Sequence, residues 1–191
     1  MVMKNKTGAI ELSMSTIVIL VLAMSMLILG LVLVRTIFST GTNIMKMTDQ
    51  QLRAQVSKIF AEDEKLTIYP DSRQLEIRIG SQDGVGIGIK NLLQGISGAS
   101  KFSYTVTSAN DPTLRKKCVG IDSKIADSWM VTGSAEDNIE ISPGDVSARK
   151  VLFSVPSGAP LCTIRYTVTV SVKGTTEKFN DYFDITIKPK S

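Results

Sequence analysis

The chain of 191 residues contains no histidine, two cysteines and one tryptophan. Without histidine there is no Ser-His-Asp triad, no Cys-His dyad and none of the usual histidine-bearing zinc sites. Two cysteines cannot build a four-cysteine zinc site. Carboxylate-only or Ser-Lys chemistry remains compatible with the composition, but the common catalytic equipment is missing, and no enzymatic activity, cofactor or metal is expected. A basic patch is also lacking. The net charge is +4. With Lys4, Lys6, Arg35 and Glu11 set aside as flanks of the N-terminal segment, 19 Lys/Arg face 17 Asp/Glu. Nucleic acid is therefore not an expected partner.

What the chain does have is one long apolar run. No charged residue occurs over 12–34, and 17–34 is almost unbroken Ile, Val, Leu, Met and Ala. As a helix, residues 12–34 extend about 35 Å, enough to cross the ~30 Å hydrocarbon core of a bilayer. A cleaved signal peptide fits less well, because the run exceeds an ordinary h-region and no small-x-small site follows it. A buried core helix of this length would carry some charge. The preferred reading is a retained single-pass helix, residues 9–38, with the lipid bilayer as its partner. Lys4 and Lys6 on the short side outweigh Arg35 on the other. This favours a cytoplasmic N-terminus and an extracytoplasmic C-terminal part. Gly30 has no small residue four positions away, so no GxxxG pairing signal is present. Asn5-Lys6-Thr7 is a glycosylation triplet on the side expected to stay cytoplasmic, where it would be idle.

The head of the chain, Lys4-Asn5-Lys6-Thr7-Gly8-Ala9-Ile10-Glu11 followed by the apolar run, resembles the processing region of type IV pilins and their archaeal relatives. The resemblance covers about 30 residues. It implies a basic leader (1–8), a cut between Gly8 and Ala9, and assembly of the apolar helices into a homo-oligomeric filament. Glu11 would be the third residue of the mature chain, whereas the bacterial family has its glutamate at the fifth. Glu11 has two readings: a hydrated carboxylate at headgroup level, or a partner for a neighbouring subunit's amino terminus.

Residues 39–64 read as an amphipathic helical stalk. Ile44, Met47, Leu52, Val56, Ile59 and Phe60 fall mostly on one stripe. That stripe fits either a face laid on its own domain or a seam for a partner helix. From 65 onward the period changes to 2. Residues 162–172 alternate strictly, with Cys162, Ile164, Tyr166, Val168, Val170 and Val172 on one side and Thr163, Arg165, Thr167, Thr169 and Ser171 on the other. This is a strand with one buried and one wet face. Further strands are expected at 75–79, 85–89, 102–107, 139–141 and 151–155, with 183–187 closing the set. The fold class is α+β: a long N-terminal transmembrane/stalk helix, then an all-β Ig-like sandwich over 65–191.

The ending Ser142-Pro143-Gly144-Asp145, strand, Pro/Gly/Ala link and long strand resembles the Ig-like modules of prokaryotic cell-surface proteins. Cys118, Trp129 and Cys162 follow the Cys-Trp-Cys order of antibody domains, but Pro160 stands where their tyrosine would be. Cys118 and Cys162 are most simply a disulfide in an oxidising compartment, with two buried thiols as the alternative. Closing that loop stabilises by about 4 kcal/mol in the chain-entropy account.

Two other patterns carry less. Asp83-Gly84-Val85-Gly86-Ile87-Gly88 lacks the Lys-Ser/Thr of a phosphate loop and reads as a strand whose glycine face lies close to another backbone. Glu136, Asp137, Asn138, Glu140 and Asp145 match no dedicated calcium loop and read as a solvated acidic turn. The functional expectation is a non-enzymatic, membrane-anchored cell-surface structural protein that packs into a filament through its N-terminal helix. The alternative is an accessory subunit of a membrane complex, docking a partner with its outer domain.

Overall fold

The computed structural model describes residues 14–39, 44–93, 98–109 and 118–190. The chain divides into two compact units, Met1–Gly41 and Thr42–Ser191. The first holds helix α1, Met14–Ser39. The second is a two-sheet β-sandwich with one helix on an outer face.

The boundary lies earlier than the sequence suggested. The stalk expected over 39–64 is part of the sandwich unit from Thr42 onward. A short 3-10 turn, Ile44–Lys46, leads into α2, Asp49–Ile59. Thr48 starts α2 with a capping box. Its hydroxyl accepts from Gln51 N–H, and the Gln51 side chain accepts from Thr48 N–H. Ile44, Leu52 and Val56 are fully buried, so the apolar stripe of this helix lies on its own domain. Burial of Leu52 and Val56 stabilises by about 1.5–3 kcal/mol each.

Nine strands follow among the described residues. β1 (Leu66–Tyr69), β3 (Gln82–Lys90), β7 (Val146–Ser154) and β5 (Met130–Thr132) form one sheet in the order β1-β3-β7-β5. β2 (Gln74–Arg78), β9 (Lys178–Lys188), β8 (Thr163–Val172), β4 (Ser100–Ser108) and β6 (Ala135–Ile141) form the other in the order β2-β9-β8-β4-β6. All pairings are antiparallel except β2 with β9. A six-residue helix, α3 (Ser123–Ser128), lies between β4 and β5. The chain passes from the first sheet to the second across the cis Tyr69–Pro70 bond.

The core between the sheets follows from the period-2 patterns. Ile164, Tyr166, Val168, Val170 and Val172 all point into it, as their alternation requires. Phe153 of the first sheet meets Tyr166 and Phe183 of the second, with ring centroids 4.9 and 5.9 Å apart. The Tyr166 hydroxyl, buried with its ring, donates to Ala126 O at 2.8 Å. That bond satisfies the one polar atom the ring brings inside, and burial pushes its pKa up.

Candidate functional site

Helix α1 is apolar on every side. The segment Thr16–Leu33 is long and apolar enough to cross a membrane by length and composition, and none of it is buried within the protein. Its side chains from Ile17 to Leu33 are exposed all round. A helix that is apolar on all faces needs lipid or other helices around it. Its one described hydroxyl bond is internal: Ser25 donates to Val21 O at 2.8 Å. Lys4, Lys6, Gly8, Ala9 and Glu11 lie outside the described residues, as does the side chain of Arg35.

The outer face of the first sheet is built for α2. Side chains of β3 alternate between Val85, Ile87 and Ile89 in the core and Gly84, Gly86 and Gly88 outside. A Cβ on Gly86 would stand 2.5 Å from Leu52 Cδ1, and one on Gly88 would stand 2.1 Å from Val56 Cγ1. The glycine face was expected to approach a backbone. That holds at Gly84, where a Cβ would meet Val151 O at 2.4 Å. At Gly86 the close neighbour is Leu52, and at Gly88 they are Val56, Phe60 just past the helix end and Thr67 of β1. Polar contacts hold the same helix: Lys150 pairs with Asp49 at 3.2 Å and donates to Met47 O, and Arg53 lies 3.7 Å from Asp145. Lys90 sits over the Phe60 ring at 6.0 Å.

Among the described residues, no helix lies on the outer face of the second sheet. Ser103, Thr105 and Thr107 of β4 stand opposite Ser171, Thr169 and Thr167 of β8. Arg165 makes a two-pronged bond to Asp184, 2.7 and 2.8 Å, and stacks 4.1 Å from the Tyr182 ring. This surface is polar, and its Arg165 and Asp184 charges are matched.

The acidic residues weighed as a calcium turn are dispersed over separate partners. Glu136 binds Arg149 at 2.6 Å, Glu140 binds Lys101 at 3.1 Å, and Asn138 accepts from Lys173 at 2.9 Å. Asp145 lies near Arg53, so four of the five residues face a cation of the protein itself. Two carboxylates are partly buried. Asp181 pairs with Arg73 at 3.0 Å, Asp83 accepts from Gly84 N–H at 2.8 Å, and burial pushes the pKa of each up.

Cys118 and Cys162 form a disulfide, with Cα atoms 5.2 Å apart. It joins the link ahead of α3 to the residue just before β8. It therefore does not staple one sheet to the other. Trp129 is buried at the end of α3. The sequence reading missed the residues beside the half-cystines: Val119 and Leu161 both project into solvent. An apolar residue followed by glycine immediately after Cys118 was the available signal.

No protein-family model and no curated protein matches the sequence. Remote likenesses to solved structures exist. One is a family 123 glycoside hydrolase from Clostridium perfringens, at 10% identity and TM-score 0.40, covering 61% of this chain and 23% of that one. Another is a PapD-like domain of human CEP192, at 9% and 0.35, covering 69% and 93%. A third is the CooA pilin subunit from enterotoxigenic Escherichia coli, at 5% and 0.31, covering 67% and 100%. The chain thus spans under a quarter of the glycoside hydrolase. Likenesses this distant carry no argument about activity, substrate or partner.

Proposed function

We propose that this is a non-enzymatic, single-pass cell-surface protein, anchored by α1 with its N-terminus in the cytoplasm, and that it is a pilin-like subunit. The observation that carries this reading is a helix apolar on all sides, joined to a separate disulfide-bonded sandwich. Such a helix is stable only in lipid or among sister helices, and a disulfide persists in an oxidising compartment. The head belongs, on this reading, with Ig-like sandwiches. In support, β1-β3-β7-β5 has the sequence spacing of an ABED sheet and β9-β8-β4 that of its GFC partner. The disulfide outside the inter-sheet position and the placement of β6 after β5 set it apart from antibody domains.

The mature N-terminus, found by mass spectrometry of membrane-extracted protein, tests the subunit reading. A chain beginning at Ala9 is the expected result. An intact N-terminus removes leader processing and leaves a permanent anchor. Shearing cells separates the two further, because filaments detach and anchors do not.

A further inference from the structure

Strand β9 carries an acid where its pattern calls for an apolar residue. Its inward positions are Phe179, Asp181, Phe183, Ile185 and Ile187. Four of the five join the core or pack against it, and the fifth is a carboxylate whose side chain is 10% exposed. Val168, fully buried, stands opposite it on β8. A charge at such a position is costly unless each oxygen finds a donor. Only one oxygen does. Oδ1 accepts from Tyr182 N–H at 2.8 Å and meets Arg73 at 3.0 Å. Oδ2 is enclosed and has no hydrogen-bond partner among the described residues.

The charges around Asp181 do not balance either. Arg73 lies in the link between β1 and β2, in a left-handed conformation with φ +55°. Its N–H donates to Pro70 O, and its carbonyl accepts from Asp184 N–H. Its guanidinium is shared, because Glu64, in the link between α2 and β1, lies 3.6 Å away on the other side. One cation thus serves two carboxylates. Among the described residues the surrounding elements supply no second cation. β8 presents Val168, and Tyr166 on the same face gives its hydroxyl to Ala126 O. β1 presents Leu66 and Ile68 to the core. Lys65 and Glu177 pair with each other, and Arg165 pairs with Asp184 beside Tyr182 on the outer face. Glu64 is the more exposed of the two carboxylates, at 27%, and also accepts from Ala61 N–H at 3.2 Å. The enclosed, unpaired oxygen belongs to Asp181.

We infer that Asp181 is a proton-uptake site, and that the head becomes more stable as the pH falls from neutral towards the ordinary carboxylate range. A proton on Oδ2 removes the buried charge and brings the Glu64–Arg73–Asp181 cluster to neutrality. Burial is the largest influence on Asp181 and raises its pKa; Glu64 adds to the rise, while Tyr182 N–H and Arg73 oppose it. A carboxyl with a higher pKa in the folded chain than in the unfolded one makes the folded chain bind more protons between the two values. Stability therefore grows as the pH falls through the folded pKa, and the gain is complete below the unfolded one. The chain has no histidine, so no side chain of ordinary pKa titrates between about pH 5 and 7.

The test is urea unfolding of the full chain in non-ionic detergent, followed by Trp129 emission, in steps from about pH 7 to about pH 5. The wild-type midpoint is expected to rise across that window. Asp181→Asn, which sets a neutral group in the same space, should start above the wild type at the upper end and stay level. A rise that persists in Asp181→Asn belongs to another group, such as half-buried Asp83, and overturns the assignment. A wild-type midpoint that stays level or falls also overturns it. So does an Asp181→Asn midpoint below the wild type at neutral pH, since the ionised pair with Arg73 is then the stabilising form. Arg73→Gln serves where Asp181→Asn does not fold. With the cation gone, the rise should begin at a higher pH than in the wild type, and a rise that begins at the same pH overturns the inference.

Discussion

The two outer faces of the sandwich began from the same rule and ended differently. Both belong to strands that alternate inward and outward. On β3 the outward residues are Gly84, Gly86 and Gly88, and a helix covers the last two. On β8 they are Thr163, Arg165, Thr167, Thr169 and Ser171, which are exposed or half-buried and lie under no helix among the described residues. Glycine on an outward face is costly in a strand, since it packs nothing and loses the most entropy on folding. It is justified only where a Cβ would collide. Threonine suits an open face, because its branched carbon favours strand geometry and its hydroxyl stays hydrated. The outward residues of a strand thus report whether something lies on them.

The largest test of this contrast is Leu52→Ala. It empties the contact over Gly86 and is expected to destabilise by about 2–5 kcal/mol, measured by urea unfolding of the full chain in detergent with Trp129 emission. A loss below about 1 kcal/mol would mean that α2 rests on the sheet without holding it. Gly88→Ala follows, at about 1–3 kcal/mol, because the new methyl collides with stiff Val56. Pairing it with Val56→Ala should return part of the loss, and a double variant that is merely additive would sink the steric account. On the open face, Arg165→Ala should cost about 0.5–1 kcal/mol, since the Asp184 pair is surface-exposed in part. Smallest of all is Thr105→Ala, within about 0.5 kcal/mol. A cost there matching that of Gly88→Ala would show that the second face is also covered.

Much of the sandwich was legible because period-2 alternation is a local signal. The strand expected at 162–172 is observed as Thr163–Val172, and 85–89 lies within Gln82–Lys90. The disulfide was legible by arithmetic, there being two cysteines to pair. The stalk was not. Whether Ile44, Leu52 and Val56 face a partner or their own domain depends on glycines some 30 residues downstream, and no window on the helix contains them. Helix α3 was missed for another reason. Six residues, Ser123–Ser128, are too few to show a period, and the Asp122 cap that starts it is as common in turns. Val119 and Leu161 were passed over because exposure is a property of the folded surface.

The docking of α2 also has a mechanical meaning. Any pull on the chain ahead of the head enters it at Ile44, the start of the segment packed on β3 and β7. The Leu52 and Val56 seats and the Lys150–Asp49 clasp are the first contacts that such a force meets, and they pass it to those two strands. The glycine groove is the clutch between the helix that is pulled and the sandwich that is held.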